Sequence, residues 1–160
     1  MTMRGGLQDT RRALQALRAE PLESVGFVAS IQLLAESIQA RYKVDITVET
    51  ADDIVWLTQE QEHVIYRVAQ EALLNSAQHA QARHIGIKIQ DTGMALRLTV
   101  KDDGIGFEPS TVNTNGHFGV QGMRERAAMI GAELTVSSQS GQGTLIEMTL
   151  KRELDENTHM

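Results

Sequence analysis

Two pairs of alternating segments constrain the fold of this chain most strongly. Residues 84–90 and 95–102 alternate apolar and polar side chains, and so do residues 133–139 and 144–150. Period-two alternation is typical of strands that bury one face. A short turn containing glycine joins the members of each pair, which predicts two antiparallel hairpins. The apolar face of such a sheet must be covered by another layer.

Helical periodicity predicts that second layer. Apolar residues recur at helical spacing in four segments: 7–19, 24–42, 58–80 and 120–130. Ser24 is the predicted N-cap of the second helix, and Thr58 with Gln61 forms a capping-box pattern at the third. A further alternating segment predicts a strand at 44–50. The predicted fold class is therefore α+β, a two-layer sandwich with a mixed, mostly antiparallel sheet covered on one face by helices.

Composition excludes several classes of protein. The 160 residues suit one domain with a buried core, and the formal net charge of −6 argues against a nucleic-acid binder. No cysteine is present, which excludes disulfides and cysteine-based metal sites, and the five histidines lack the spacing of zinc ligands. No apolar run approaches the roughly 20 residues that span a bilayer.

One helix carries a carboxylate and a carboxamide four residues apart. Glu71 and Asn75 lie about 40° apart on a helix, so both face the same side, next to the apolar stripe. Mg²⁺ prefers oxygen ligands and keeps several waters, so one amide oxygen with phosphates suffices, and Glu71 would orient or deprotonate a nearby water. The alternative is an ordinary solvated helix face.

Glycines follow a strand end and precede the last helix. Asp102 ends a strand and is followed by Gly104 and Gly106, which let a backbone approach a base while the carboxylate accepts a hydrogen bond from an exocyclic amine. A simple turn is the alternative. Gly119 and Gly122 lie at a helix N-terminus, where free amides favour phosphate, although loop flexibility alone also explains them.

In this order, these elements resemble the ATP-binding superfamily of gyrase, the ninety-kilodalton heat-shock chaperone, histidine kinases and MutL-type proteins. The resemblance rests on three segments: VIYRVAQEALLNSAQHA, VKDDGIGF and GHFGVQGMRERAAMIGAELTVSSQSGQGT. They are most similar to the catalytic domain of bacterial sensor histidine kinases of the nitrate-sensor and desaturase-sensor type. The resemblance covers about residues 22–150.

The resemblance implies a Mg-ATP site with assigned residues. Asn75 would be the Mg²⁺ ligand and Glu71 the neighbouring acid, these two being the catalytic residues, and residues 107–118 would form the ATP lid. Asp102 would bind the adenine amine. The predicted nucleotide-binding residues are Asn75, His79, Asp102, Gly104, Gly106, Gly119, Val120, Gly122, Met123 and Thr144. One departure is Gln78, where the subfamily usually has Lys or Arg.

The resemblance also implies a fragment of a longer kinase. No histidine has an E-L-H-D-like phosphoacceptor context, and residues 1–21 resemble the tail of a dimerisation helix. Residues 22–151 would be the ATP-binding domain and 152–160 a disordered tail. The implied enzyme is an ATP-dependent protein-histidine kinase whose fragment does not autophosphorylate alone. Its partners would be the dimerisation and phosphoacceptor helices and a response regulator, with no nucleic acid and no membrane contact.

The resemblance implies a monomeric, cytoplasmic fragment of a homodimeric parent, and such a parent can be membrane-anchored. Two other functions remain open from sequence. An anti-sigma-type serine kinase uses the same nucleotide fold with a different acceptor, although the helix at 7–20 and the G-M-R-E-R-A pattern argue against it. A partner-binding module without kinase activity is the second alternative, which the uncharged Gln78 favours.

Overall fold

The computed structural model describes residues 26–50, 54–106 and 118–153, which form three helices and five strands. The elements in chain order are α1 (Phe27–Tyr42), β1 (Asp45–Thr50), α2 (Gln59–Gln78), β2 (His84–Asp91), β3 (Ala95–Asp102), α3 (Phe118–Met129), β4 (Glu133–Ser138) and β5 (Thr144–Lys151). The predicted helix at 7–19, most of the predicted lid and the last seven residues lie outside the described residues.

The five strands form one sheet in the order β1-β2-β3-β5-β4. β1 runs parallel to β2, and the other three pairs are antiparallel. Both predicted hairpins are present, with Ile87 opposite Val100 in the first and Val136 opposite Ile146 in the second. The predicted mixed, mostly antiparallel sheet is confirmed.

One face of the sheet is buried beneath the helices. Alternate residues of β2 and β3 are buried, so the hydrophobic effect holds this face against α2, which also packs between α1 and α3. The fully buried side chains include Ile31, Ile65, Tyr66, Val68, Leu73, Ile85, Ile87, Ile89, Leu96, Leu98, Met123 and Met148. This core fixes the position of α2 above the ends of the central strands.

The helix boundaries confirm one predicted cap and correct another. Thr58 Oγ1 accepts from the Gln61 amide at 3.1 Å and the Gln61 side chain accepts from the Thr58 amide at 2.9 Å, which is the predicted capping box. The prediction of Ser24 as the N-cap of α1 is wrong, because α1 begins at Phe27 with Gly26 as its N-cap. Gly26 has φ 86°, a backbone conformation that favours glycine, and it makes no side-chain cap.

A side chain of α1 covers part of the outer edge of the sheet. β1 is an edge strand of the described sheet, so no strand within residues 26–50, 54–106 and 118–153 lies beside one row of its backbone groups. Gln39 reaches from α1 and accepts a hydrogen bond from the Ile46 amide at 2.8 Å. The α1–β1 packing therefore satisfies a donor that the sheet itself leaves unpaired.

Candidate functional site

Asp102 lies at the end of β3 on the helix-covered face of the sheet. It shares the buried side of the strand with Val100 and Leu98, and only 5% of it is exposed. Ser76 on α2 donates to its Oδ2 atom at 2.6 Å. The amides of Gly104 and Thr144 donate to its Oδ1 atom at 2.9 and 3.2 Å. We call Asp102, Ser76, Gly104 and Thr144 the Asp102 cluster.

The start of β5 is tied to the end of β4 directly behind this cluster. The hydroxyls of Ser138 and Thr144 lie 2.9 Å apart, and Ser138 also donates to the Gly143 carbonyl at 3.1 Å. Ser138 is buried, so these bonds satisfy a hydroxyl that would otherwise be costly to bury. The Thr144 amide is thereby held in place to donate to the carboxylate.

Two glycines allow the loop after β3 to approach its neighbours closely. A Cβ atom on Gly104 would collide with the Ala80 carbonyl at the end of α2, and one on Gly143 would collide with the Asp102 carbonyl. The Ile105 amide donates to that same Ala80 carbonyl at 2.8 Å. The chain therefore brings α2, the loop after β3 and the β4–β5 turn into contact around one carboxylate.

Glu71 and Asn75 lie side by side on α2, where they meet the first turn of α3. Both are partly buried, and a Cβ atom on Gly119 would lie 2.6 Å from Glu71 Oε1 and 2.7 Å from Asn75 Nδ2. Glycine at 119 is thus what allows α3 to begin against this pair. We call Glu71 and Asn75 the Glu71–Asn75 pair.

The donor set of the Glu71–Asn75 pair fits a hard cation held mainly by phosphates and water. It offers carboxylate and amide oxygens, which Mg²⁺ prefers, but too few of them for a cage made of protein alone. Within the described residues, no group of three or more His, Cys, Asp or Glu side chains could hold a metal ion. A cation here would therefore need a ligand that brings its own oxygens.

One turn of α2 contributes a residue to both the Glu71–Asn75 pair and the Asp102 cluster. Asn75 and Ser76 are consecutive residues, so their side chains point about 100° apart around the helix axis. Asn75 meets Gly119 of α3, whereas Ser76 meets Asp102 of β3. The structure thus brings four predicted residues, Glu71, Asn75, Asp102 and Thr144, around one end of one helix.

Other predicted residues lie at varied distances from this centre. His79 is the C-cap of α2 and is exposed. Gln78 is exposed and donates to the Tyr42 hydroxyl at 2.5 Å, so its side chain is directed towards the end of α1. Val120 and Met123 belong to the hydrophobic core, with 6% and 1% exposed. Their assignment to nucleotide binding stays a prediction.

Gly106 and Gly122 differ in their surroundings. Gly106 has φ 65° and lies against the Gln139 carbonyl, next to a bond of 2.5 Å from the Gly141 amide to the Ile105 carbonyl. Beyond the backbone of its own helix, no atom of the described residues lies within 4 Å of where a Cβ on Gly122 would stand. Close packing therefore explains the first glycine and does not explain the second.

Sequence reasoning missed Ser76 and Ser138 as polar members of the site. Ser76 has the helical spacing of a core position, so the pattern alone indicates only that it is buried. A serine on an apolar stripe does signal a buried partner, since a buried hydroxyl needs a hydrogen bond. The pattern does not say which residue that partner is.

Asp103 has a different role from that of its neighbour Asp102. Its Oδ1 atom accepts from the amides of Arg83 at 2.8 Å and His84 at 3.0 Å. The His84 bond, followed by the Arg83 bond, lowers the pKa of this exposed carboxyl below its ordinary value of 3.8. Asp103 therefore fastens the loop after β3 to the start of β2.

Cavities accompany two parts of the described structure. One of about 280 Å³ opens at the ends of β3, β4 and β5, with Asp102 and Thr144 in its lining. Another of about 410 Å³ lies between α1 and β1, and none of the predicted site residues lines it. The first is the one adjacent to the Asp102 cluster.

Comparison with known families places the chain. Residues 60–154 match the family described as histidine kinase-, DNA gyrase B-, and HSP90-like ATPase, which is more than half of the sequence. The chain belongs to this family of ATPase domains. The predicted superfamily is confirmed, and so is the α+β fold class that it implies.

Curated relatives are kinases of which this chain matches a part. The chain is 26% identical over 148 residues to the signal transduction histidine-protein kinase/phosphatase DegS of Brevibacillus brevis, covering 92% of this chain and 38% of that protein. It is 28% identical over 151 residues to the sensor histidine kinase MctS of Rhizobium johnstonii, covering 93% and 33%. The chain thus spans about a third of the length of these relatives.

A solved structure gives the same picture. The histidine kinase domain of the blue-light activated histidine kinase of Erythrobacter litoralis EL346 is similar with a TM-score of 0.68 and 25% identity, covering 79% of this chain and 61% of that one. Together these matches support the predicted ATP-binding catalytic module of a sensor histidine kinase, whereas the nitrate-sensor or desaturase-sensor subtype stays a prediction. Among the described residues, no helix is long and apolar enough to cross a membrane.

Proposed function

We propose that this chain binds Mg-ATP and donates the γ-phosphoryl group to a histidine on a dimerisation domain. The observation that carries this proposal is the buried Asp102 carboxylate, joined through Ser76 to the helix that bears the Glu71–Asn75 pair. The hydrogen bond from Ser76 to Asp102 then links the element that holds an acceptor for a base, β3, to the element that holds oxygen ligands for a cation, α2.

In this proposal the Asp102 cluster binds the adenine. The carboxylate accepts a hydrogen bond from the exocyclic amine, and Gly104 with Gly106 allows the backbone to lie against the base. The cluster is desolvated, which strengthens each hydrogen bond made within it. Adenine recognition is therefore assigned to a site that is formed before the nucleotide arrives.

The Glu71–Asn75 pair serves the other end of the nucleotide. Asn75 would contribute its amide oxygen to Mg²⁺, which neutralises charge on the phosphates when it is bound. Glu71 would accept a hydrogen bond from water or from the N–H of the incoming imidazole. The imidazole nitrogen forms a bond to the γ-phosphorus while the bond to the bridging oxygen breaks, and ADP leaves.

The rest of the proposal concerns the partners of the chain. DegS and MctS are both named as histidine kinases, and this chain covers only about a third of each. We infer that the phosphoacceptor helices lie in a separate region and that a response regulator receives the phosphoryl group in turn. Autophosphorylation of the chain alone is not expected. A cytoplasmic location follows from this role.

Phosphoryl transfer provides the direct test. The chain is incubated with ATP labelled at the γ-phosphate and with the dimerisation helices of a related kinase. We expect an acid-labile, base-stable label on those helices, as phosphohistidine would give. ATP binding without any transfer would favour a binding module, and an acid-stable label would favour a serine kinase.

Asn75→Asp tests the metal assignment within the same proposal. The carboxylate keeps the size of the amide but adds a charge beside Glu71, so the Mg²⁺-dependent part of nucleotide binding should change. Titration of a fluorescent ATP analogue with and without Mg²⁺ measures it, and adenosine binding serves as the internal control. Binding and metal dependence that match the wild type would contradict the assignment of Asn75.

One observation favours the binding-module alternative. Gln78 is uncharged and bonds to the Tyr42 hydroxyl, so it supplies no positive charge for the phosphates. A module of this kind would bind nucleotide weakly and respond to a partner without transferring phosphate. The transfer assay separates it from the kinase.

A further inference from the structure

We infer that Ser76 is a positioning residue that makes the Asp102 carboxylate selective for adenine over guanine. The inference rests on the proposed function and deepens it, because it assigns the choice of base to a side chain behind the carboxylate. Ser76 acts through Asp102 and is not itself the contact to the base.

The location of Ser76 requires a polar partner. It is 4% exposed and lies on α2 among the buried residues Ala72 and Leu73. A serine within a helix often bonds to the carbonyl four residues earlier. Ser76 instead donates to Asp102, which is 26 residues away in sequence, at 2.6 Å. Its hydroxyl is therefore committed to a tertiary contact at the end of β3.

Counting acceptor positions shows what this contact does. A carboxylate has about four lone-pair positions, two on each oxygen. The amides of Gly104 and Thr144 occupy Oδ1, and the Ser76 hydroxyl occupies one position on Oδ2. All three neighbours donate, so the position that is left on Oδ2 is an acceptor. The 6-amine of adenine donates to it, whereas the 6-carbonyl of guanine is repelled.

Ser76 also fixes the orientation of that remaining position. The two backbone amides hold only Oδ1, and the terminal torsion of an aspartate is intrinsically broad. The bond from Ser76 to Oδ2 is the second point that sets the plane of the carboxylate. Without this bond the orientation of Oδ2 is no longer fixed, and Oδ2 can accept a hydrogen bond from water in place of the amine.

Base selectivity of the full chain is the measurement that tests the inference. Dissociation constants for non-hydrolysable analogues of ATP and GTP, both with Mg²⁺, are compared between wild type and Ser76→Ala. We expect ATP binding to weaken about tenfold or more, as for the loss of a hydrogen bond to a charged group. GTP binding should change little, so the ratio of the two affinities falls by a similar factor.

Two further variants separate positioning from general stability. Ser76→Thr keeps the hydroxyl and should restore most of the wild-type ratio. Ser30→Ala is the matched control, because Ser30 is also buried in a helix and donates at 2.6 Å, but to the Phe27 carbonyl of α1. It should lower thermal stability and leave the ratio of affinities unchanged.

The results of these measurements separate a failure of the Ser76 inference from a failure of the proposed function. A folded Ser76→Ala variant with the wild-type ratio overturns the inference and leaves the proposed function standing. A wild-type chain that binds neither nucleotide overturns both. If Ser76→Ala does not fold, Ser76→Cys replaces it, since a thiol of similar size is only a weak donor and should lower the ratio in the same direction.

Discussion

The two halves of the candidate site, the Asp102 cluster and the Glu71–Asn75 pair, differ in how far each is formed without a ligand. The Asp102 cluster is buried, and three donors from three separate elements converge on its carboxylate. The Glu71–Asn75 pair is only partly buried and lies against Gly119 in the first turn of α3. A preformed end should give the base its specificity. A more open end should gain its order from the ligand that it binds.

Asp102→Asn should have the largest effect, because it breaks the preformed half. The asparagine NH₂ group replaces the carboxylate oxygen beside Ser76, whose hydroxyl must turn to accept from it, and the adenine amine then meets a donor instead of an acceptor. We expect ATP affinity to fall about a hundredfold or more, and the free energy of unfolding to fall by about 1–3 kcal/mol. Calorimetric titration and thermal unfolding measure the two quantities.

Asp103→Asn is the control for that substitution. It makes the same chemical change one residue later, at an exposed carboxylate that contacts β2 rather than the cluster. Equal losses of ATP affinity in the two variants would contradict the assignment of the base to Asp102.

Gly119→Ala should disturb the other half selectively. The new methyl would lie 2.6 Å from Glu71 Oε1 and 2.7 Å from Asn75 Nδ2, so one or both side chains must move. We expect Mg-ATP affinity to fall about tenfold while adenosine affinity stays near the wild-type value. Fluorescence titration with the two ligands gives both numbers.

Gln121→Ala is the control on the same helix. Gln121 is exposed and is not one of the predicted site residues, so alanine there raises helix propensity without the collision. If both alanine variants lose Mg-ATP affinity equally, the loss reflects the helix and the argument from Gly119 is wrong.

Gln78→Arg should produce a smaller gain. Gln78 is exposed at the end of α2, and a charge there would attract the phosphates only through solvent. We expect ATP affinity to rise by about two- to fivefold at low ionic strength and to return to the wild-type value in high salt. Gln78→Met, which removes the bond to Tyr42 without adding charge, is the control. An increase that persists in high salt would not fit this explanation.

The smallest expected effect is that of Asp103→Asn on the stability of the fold at acid pH. The folded state lowers the pKa of Asp103, so its ionised form stabilises the fold above about pH 4, and this contribution is lost as the pH falls through the folded pKa. The asparagine variant lacks this titration. The difference in melting temperature between wild type and variant should therefore shrink as the pH falls below about 4. A constant difference down to pH 2 would contradict the assignment.

The sequence predicted the sheet better than it predicted the site. Alternation identifies which residues of β2 and β3 share a buried face, because that pattern is a direct consequence of strand geometry. It does not identify neighbours, so the parallel pairing of β1 with β2 was not predicted. The capping box at Thr58 is equally local and was correctly predicted.

The features that could not be predicted from the sequence are contacts between residues that are far apart in the chain. Ser76 and Asp102 are 26 residues apart, and nothing local to either of them indicates their bond. Gln78 bonds to Tyr42, 36 residues earlier, for the same reason. α1 begins at Phe27 after the N-cap Gly26, which has a positive φ that a serine N-cap would not need. Residue types identified the candidate chemistry, whereas the contacts that position it came only from the packed structure.

The hydrogen bond from the Ile46 amide to Gln39 has a consequence for solubility. Open strand edges recruit strands from other molecules and so promote aggregation. By occupying the amide of Ile46, the second residue of β1, the glutamine interrupts the ladder that an incoming strand would need to form. The Gln39 side chain therefore makes β1 a poorer template for a strand from a second molecule of this chain.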